Sequence, residues 1–297
     1  RHRSRRGRAS GALAVAVALT LAACGAEGNQ TATDADPDGA AGVGDDGGTE
    51  EGADDGATGG ADDGAAGQGT SELSGDLTVF AAASLNVVFT DIAEMFSAQH
   101  PETSVTFSFA GSSDLVAQLD AGAPADVLAA ANEATMADAL ANGTIEGEPE
   151  LFATNVLSLV APAGNPAGVT GLDDSLDDAD LVVCAPQVPC GQATGVLTDL
   201  LGVDLRPASE ERSVTDVLGK ITSGQGEAGL VYTTDAASAG GKVEIIEVFD
   251  HAEEVINHYP IAVTSASDQP ELARAWVDFV LGSSAQDVLD EAGFGTP

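Results

Sequence analysis

Two stretches of the chain share one pattern, and that pattern restricts the fold more than any other feature of the sequence. Residues 79–85 (V-F-A-A-A-S-L) predict a short strand that leads through small residues to Ser84, where a helical pattern begins. Residues 105–115 repeat the pattern, with Ser112 and Ser113 ahead of a second helix. Serine is a preferred helix N-cap, so Ser84 is predicted to cap its helix. If both helix starts converge, their free N–H groups and hydroxyls form a pocket for a small anion without any cationic side chain.

Short apolar runs alternate with helical patterns from residue 77 to the C-terminal region. Such alternation predicts an α/β fold with mostly parallel sheets. Ligands of these sheets bind beyond the carboxyl ends of the strands, where Ser84 and Ser112 both fall. Trp276 lies at helical spacing from apolar neighbours and is predicted to be a core residue. Strands are predicted at 77–82, 105–109, 127–130, 156–161, 181–184, 229–232, 243–248 and 259–263, and helices at 87–98, 115–121, 133–141, 194–201, 214–223, 272–281 and 285–291.

The first 72 residues are predicted to lie outside the folded region. Residues 1–24 combine five arginines, an apolar core too short to span a bilayer, and a Leu-Ala-Ala-Cys sequence ending at Cys24 that resembles a bacterial lipobox. This lipoprotein signal peptide implies export, cleavage before Cys24, and a lipid on Cys24 that anchors the protein to the outer face of the cytoplasmic membrane. Residues 25–72 are rich in Gly, Ala, Asp and Glu and lack aromatic residues, which predicts a disordered acidic tether.

The charge of the chain excludes two classes of partner. Five of the ten Lys and Arg residues precede residue 24, so cleavage leaves five basic against 48 acidic residues, a net charge of −43. Such a surface repels nucleic acid and anionic lipid. It also repels an anionic ligand at long range, so an anion site must depend on short hydrogen bonds in a desolvated pocket.

The two cysteines that remain beside Cys24 are close in sequence. In an exported protein, Cys184 and Cys190 most simply form a disulfide. A ring this small contributes only about 2 kcal/mol by chain entropy, so its expected role is to fix the loop and its N–H groups. A metal site needs more ligands than this stretch offers. Ser84 lacks a nucleophile-elbow sequence and a nearby histidine, so no enzymatic activity is expected.

Six short motifs occur in a specific order and spacing. Together they resemble the periplasmic molybdate-binding proteins of ABC transporters, and the resemblance covers residues 76–297. The motifs are residues 80–85 (F-A-A-A-S-L), 108–113 (S-F-A-G-S-S), 121–127 (A-G-A-P-A-D-V), 188–191 (V-P-C-G), 229–236 (G-L-V-Y-T-T-D-A) and 259–263 (Y-P-I-A-V).

The resemblance implies a type II periplasmic binding protein fold, in which two α/β lobes are joined by two crossings and the ligand lies in the interlobe cleft. Lobe 1 would comprise residues 73–155 plus 258–297, and lobe 2 residues 156–257. Three features depart from the family pattern: Gly111 where serine is common, Cys190 where alanine is common, and a variable segment at 212–214. The ligand contacts of the family map onto hydroxyls and backbone N–H groups of Ser84 and Ser112, the N–H groups of Cys190 and Val214, and the phenol of Tyr232.

The resemblance further implies a monomeric receptor that captures molybdate, and also tungstate, and delivers it to an ABC permease without any cofactor or other metal. Molybdate accepts hydrogen bonds at all four oxygens, so its site should contain donors only. A monohydrogen phosphate carries a proton that none of the five positions accepts, whereas sulfate differs from molybdate only in size. Three alternatives stay open: a receptor for another oxyanion such as sulfate, an enzyme that uses Ser84 on a small anionic substrate, and a structural lipoprotein with a vestigial cleft.

Overall fold

Two five-stranded sheets with flanking helices make up the part of the chain that the structure, a computed structural model, describes: residues 73–250 and 253–297. The predicted signal peptide (1–24), Cys24 and the predicted tether (25–72) lie outside the described residues. The strands are β1 (Gly75–Ala82), β2 (Thr103–Ala110), β3 (Val127–Ala129), β4 (Ile145–Asn155), β5 (Leu157–Pro162), β6 (Leu181–Cys184), β7 (Ser209–Glu211), β8 (Ala228–Tyr232), β9 (Val243–Val248) and β10 (Asn257–Thr264). The α-helices are α1 (Asn86–Gln99), α2 (Ser112–Asp120), α3 (Glu133–Ala141), α4 (Pro189–Leu201), α5 (Val214–Thr222), α6 (Thr233–Ser238), α7 (Pro270–Leu281) and α8 (Ser283–Glu291).

The two sheets repeat one arrangement of strands. The first has the order β2-β1-β3-β10-β4, in which β1 pairs parallel with β2 and β3, and β10 pairs antiparallel with β3 and β4. The second has the order β7-β6-β8-β5-β9, in which β6 pairs parallel with β7 and β8, and β5 pairs antiparallel with β8 and β9.

Half of these strand pairings are antiparallel, so the α/β class is confirmed but the prediction of mostly parallel sheets is wrong. The reason is the connectivity. A parallel neighbour requires a crossover connection, usually a helix, within the same sheet. The chain instead enters β5 directly from β4 and β10 from β9, each time from the other sheet and without an intervening α-helix.

The chain passes between the sheets twice, at Val156 and again between β9 and β10. We call the part with the first sheet lobe 1 (73–155 and 257–297) and the part with the second sheet lobe 2 (156–250 and 253–256). The sequence places the second boundary after residue 257, whereas Asn257 is the first residue of β10. None of the helices in the described part of the chain is long and apolar enough to cross a membrane.

Three elements escape prediction, each because its sequence lacks the usual signal. Strand β4 carries charged and proline residues and is largely exposed over its first seven positions, so it has no regular apolar alternation. Strand β7 has three polar residues, and α6 has only six residues. Helix α4 begins at Pro189, five residues before the predicted start, because proline is well tolerated in the first turn of a helix.

The two lobes have chemically different cores. In lobe 1, Trp276 is fully buried, as predicted, and makes edge-to-face ring contacts with Phe89, Phe96 and Phe107 at centroid distances of 5.4–5.9 Å. The interior of lobe 2 is built mainly from aliphatic side chains of the sheet and of α5. These include Leu159, Val182, Val217, Ile221 and Leu230, all of them 0–1% exposed.

Candidate functional site

The ends of six strands, three from each sheet, surround one small cavity between the lobes. Its volume is about 20 Å³. A sphere of that volume, widened by the roughly 1.4 Å radius of water, has a radius of about 3 Å, which is room for one central atom with a single shell of oxygens. The lining residues follow β1 (Ala82, Ala83, Ser84), β2 (Gly111, Ser112), β3 (Ala131), β6 (Val188, Pro189, Cys190) and β7 (Arg212, Ser213, Val214), and Tyr232 ends β8. All five positions predicted from the sequence therefore line the same cavity.

Ser84 is held by a contact to a buried tyrosine of β10. It lies in a single 3-10 turn, Ala83–Leu85, ahead of α1, and the N-cap of α1 is Leu85 with no side-chain cap. The prediction that Ser84 caps this helix is wrong, because its Oγ lies 3.0 Å from the hydroxyl of Tyr259 instead. Burial raises the pKa of Tyr259, and its hydrogen bond with Ser84 lowers it in part. Tyr259 therefore stays protonated at neutral pH and is available as a donor to Ser84.

Ser112 is the first residue of α2 and is 1% exposed. Its Oγ accepts a hydrogen bond from the backbone N–H of Ala131 at 3.0 Å. Accepting this bond leaves the hydroxyl proton available for donation to a ligand in the cavity. The neighbouring Ser113 does not line the cavity, and its hydroxyl donates to the carbonyl of Gln187 in lobe 2 at 2.7 Å.

The start of α4 supplies backbone N–H groups from lobe 2. Cys190 lies in the first turn of α4, where N–H groups have no partner within the helix. A disulfide joins Cys190 to Cys184 at the end of β6, with their Cα atoms 5.6 Å apart. The start of α4 lies close against the loop between them, since a Cβ at Gly191 would lie 1.8 Å from the carbonyl oxygen of Ala185. This geometry fixes the helix start, and with it the N–H group of Cys190.

The start of α5 contributes in the same way. Ser213 is the N-cap of α5, and its Oγ accepts from the backbone N–H of Asp216 at 3.2 Å. That bond satisfies one free N–H group of the helix. Val214, the first helical residue, lines the cavity and has an N–H group without a partner inside the helix.

Tyr232 is oriented by a residue that the sequence reading missed. The side-chain nitrogen of Asn257 donates to the hydroxyl oxygen of Tyr232 at 2.7 Å and to the carbonyl oxygen of Ala131 at 2.9 Å. Burial raises the pKa of Tyr232 well above its ordinary value, and its interactions with Tyr259 and Asp235 act in the same direction. A single asparagine at the start of a strand carries no motif, so its role follows only from the folded geometry.

Arg212 is the one cationic residue among those that line the cavity, but its charge is engaged elsewhere. Its guanidinium donates to both carboxylate oxygens of Asp114 in lobe 1, with Nε 3.0 Å from Oδ2. In residues 73–250 and 253–297, no cluster of three or more His, Cys, Asp or Glu side chains is placed to hold a metal ion. The cavity is therefore lined by neutral hydrogen-bond donors and apolar groups.

Further contacts close the mouth of the cavity between the lobes. The side-chain nitrogen of Asn132 in lobe 1 donates to Oε1 of Gln192 in lobe 2 at 2.8 Å. The backbones also approach closely, since a Cβ at Gly111 would lie 2.2 Å from the carbonyl oxygen of Arg212. Together with the Ser113 and Arg212 contacts, these place the two lobes in a closed arrangement around the cavity.

Asp235 lies near the cavity but faces a different space. It lines a larger groove of about 560 Å³ between α1, α5, α6 and α8. Burial raises the pKa of Asp235 to about 7, and a hydrogen bond from the backbone of Tyr232 lowers it in part. Its Oδ2 has no hydrogen-bond partner among the described residues. The acid therefore adds no acceptor to the lining of the small cavity.

Two mixed α/β lobes, two crossings and a ligand-sized cavity between them define a two-lobed periplasmic solute-binding protein. Residues 77–295 match the family model described as "Bacterial extracellular solute-binding protein", and the chain belongs to this family. The molybdate-binding protein ModA of Mycobacterium tuberculosis (strain ATCC 25618 / H37Rv) is 45% identical over 230 residues, which cover 77% of this chain and 88% of that protein. The family resemblance read from the six motifs is thereby confirmed.

Two solved structures show how widely the fold is shared. The periplasmic molybdate-binding protein of Azotobacter vinelandii aligns with a TM-score of 0.63 at 19% identity, over 74% of this chain and 99% of that chain. The sulfate-binding protein SubI of Mycobacterium tuberculosis H37Rv aligns with a TM-score of 0.61 at 21% identity, over 74% of this chain and 86% of that chain. Since these two proteins are named for different anions, the fold does not determine the ligand.

Proposed function

We propose that the protein captures molybdate, and tungstate with it, outside the cytoplasmic membrane and delivers it to an ABC permease. The single observation that carries the proposal is the lining of the cavity, which brings together two serine hydroxyls, a phenol and the starts of two helices, with no carboxylate among its lining residues. Molybdate is a dianion with an acceptor at each of its four oxygens, so it can use every one of these donors. The mycobacterial relative at 45% identity is named for the same ligand.

The proposed ligand contacts come from both lobes. Lobe 1 contributes the hydroxyls and N–H groups of Ser84 and Ser112, and lobe 2 contributes the N–H groups of Cys190 and Val214 and the phenol of Tyr232. Because neither lobe alone surrounds the ion, binding requires the lobes to close about their two crossings. The closed receptor then docks on the permease, and opening of the lobes releases the ion.

Selectivity is expected to arise from two separate properties of the cavity. Monohydrogen phosphate would bury a proton without an acceptor, which costs about 1 to 3 kcal/mol. Sulfate carries no proton, so only the size of the cavity separates it from molybdate. Tungstate is close to molybdate in size and is expected to bind as well.

The proposal also includes a membrane anchor, and it disfavours an enzymatic role for Ser84. A lipid on Cys24 would hold the protein at the outer face of the membrane, and residues 25–72 would let the lobes reach the permease as a monomer. A serine-dependent enzyme is disfavoured, because the hydroxyl of Ser84 pairs with the protonated Tyr259 rather than with a general base.

Calorimetric titration of the protein carrying Cys24→Ser, which removes the lipid, tests the ligand. We expect one-to-one binding of molybdate and tungstate, and little heat from sulfate or phosphate. Ser112→Ala should weaken molybdate binding by roughly tenfold or more, since a lost buried hydrogen bond to a charged group costs about 1.5 to 3 kcal/mol. The control is Ser104→Ala in β2, whose hydroxyl bonds Asp76 on the surface. A response to sulfate alone would contradict the proposed ligand.

A further inference from the structure

The side chain of Asn257 forms hydrogen bonds to both lobes. It is the first residue of β10, directly after the second crossing, and is only 7% exposed. Its amide nitrogen donates to the carbonyl of Ala131 in lobe 1 at 2.9 Å and to the hydroxyl of Tyr232 in lobe 2 at 2.7 Å. A side-chain amide has two N–H protons, so both are used by these two bonds.

The direction of the second bond fixes the state of the Tyr232 hydroxyl. An amide nitrogen only donates, so the tyrosine oxygen must accept from Asn257. The phenolic proton is then directed elsewhere, and the spaces that Tyr232 faces are the cavity and the hydroxyl of Tyr259. Tyr259, which lies 3.0 Å from Ser84 Oγ, also interacts with the Tyr232 hydroxyl and is the acceptor of its proton when the cavity holds no anion. A charged oxyanion in the cavity is a stronger acceptor than this neutral phenol and draws the proton to itself.

The same link reaches the serine on the other lobe. The backbone N–H of Ala131 donates to Ser112, and its carbonyl accepts from Asn257. Ser112, Ala131, Asn257 and Tyr232 thus form one chain of hydrogen bonds. At both ends a hydroxyl accepts from the protein, so each keeps its own proton to donate to an oxyanion in the cavity.

We propose that Asn257 is a specificity-determining positioning residue, which fixes the Tyr232 hydroxyl as a donor and so makes the cavity reject oxyanions that carry a proton. This inference rests on the proposed oxyanion-binding function and adds a residue that touches no ligand. It predicts that reversing the direction of one hydrogen bond changes which anion is preferred.

Asn257→Asp reverses that bond with little change in size, and it also removes the donor to the carbonyl of Ala131. The aspartate oxygen accepts from Tyr232, so the phenolic proton turns away from the cavity and an oxygen lone pair faces it. A monohydrogen phosphate then finds an acceptor for its O–H group, while a fully deprotonated oxyanion loses a donor. The added negative charge affects sulfate and monohydrogen phosphate alike, because both are dianions of similar size. Their affinity ratio therefore reports the proton and not the charge.

The experiment measures dissociation constants for molybdate, sulfate and inorganic phosphate at pH 8, where phosphate is mainly the monohydrogen dianion, with the full chain carrying Cys24→Ser. In Asn257→Asp we expect molybdate binding to weaken at least tenfold, and the phosphate-to-sulfate affinity ratio to rise at least tenfold. In a Tyr232→Phe background, the same substitution should leave that ratio unchanged. Thr264→Val in the same strand is the control, since it removes a buried bond to the carbonyl of Ala125, which does not line the cavity.

The outcomes separate this inference from the proposed function. Absence of molybdate binding in the parent protein overturns the proposed ligand, whereas the phosphate-to-sulfate ratio still tests Asn257. An unchanged ratio in Asn257→Asp, or the same rise in the Tyr232→Phe background, overturns the inference. If the aspartate variant does not fold, Asn257→Ala serves instead. It frees the Tyr232 hydroxyl to turn either way and should shift the ratio in the same direction by a smaller factor, so an unchanged ratio there also overturns the inference.

Discussion

Lobe 1 and lobe 2 have the same arrangement of strands around the cavity but differ in the chemical groups that they present to it. In each, three parallel strands point their carboxyl ends at the cavity, and two antiparallel strands complete the sheet. Lobe 1 presents two serines after two of those strands, whereas lobe 2 presents the starts of α4 and α5 and the phenol of Tyr232 at the end of β8. The shared strand order positions the site, and the chemistry of each half is set by the few residues that follow each strand.

The hydrophobic cores of the two lobes also differ in the kind of side chain that fills them. Aromatic rings pack around Trp276 in lobe 1, while lobe 2 combines aliphatic side chains with the bond between Cys184 and Cys190. Large rings bury much apolar surface each, so lobe 1 depends on a few side chains. Lobe 2 spreads its packing over smaller groups and adds a covalent link at the site itself. The two lobes should therefore respond to different perturbations.

The largest effect is expected from Trp276→Ala. Removing a fully buried tryptophan leaves a cavity and typically costs about 3 to 5 kcal/mol of unfolding free energy. The measurement is chemical denaturation followed by circular dichroism. Trp276→Phe is the matched control. It should cost much less, because it keeps a ring against Phe96 and because the indole N–H has no hydrogen-bond partner among the described residues. Equal losses in the two variants would contradict the view that ring packing stabilises lobe 1.

A smaller effect is expected from the paired substitution Cys184→Ala and Cys190→Ala. Closing a seven-residue ring is worth about 2 kcal/mol by chain entropy. Because Cys190 also lies at the start of α4, we expect oxyanion affinity to fall together with the melting temperature. Thermal denaturation with and without a reductant tests this. The parent protein in reductant should resemble the variant, whereas the variant should be insensitive to reductant. A parent protein that keeps its affinity after complete reduction would show that the bond does not position the site.

The two lobes also show which parts of the fold and of the site can be predicted from the sequence. The repeated strand-to-serine pattern located Ser84 and Ser112, because the pattern is local and the backbone after a parallel strand has few alternatives. Asn257 escaped, because its role depends on two partners 126 and 25 residues away. The capping role predicted for Ser84 was wrong for the same reason, since Tyr259, 175 residues away, engages its hydroxyl. Strand β4 was missed because its exposed edge carries charges instead of alternating apolar residues. Patterns within a few consecutive residues can thus be interpreted from the sequence. Contacts between residues that are distant in the sequence cannot.

The smallest effect is expected where the lobes meet at the surface. Arg212 pairs with Asp114 across the mouth of the cavity, but the arginine side chain is 73% exposed, and exposed ion pairs contribute little. Arg212→Gln should weaken molybdate binding no more than severalfold, mainly by speeding release, because the pair forms only when the lobes are closed. The loss should shrink as salt is raised, since screening weakens the pair in the parent protein. Stopped-flow displacement at low and high ionic strength measures both. The control is Arg274→Gln, which breaks an exposed pair with Glu146 that lies wholly within lobe 1. If both substitutions change the release rate equally, the effect belongs to net charge and not to closure of the lobes.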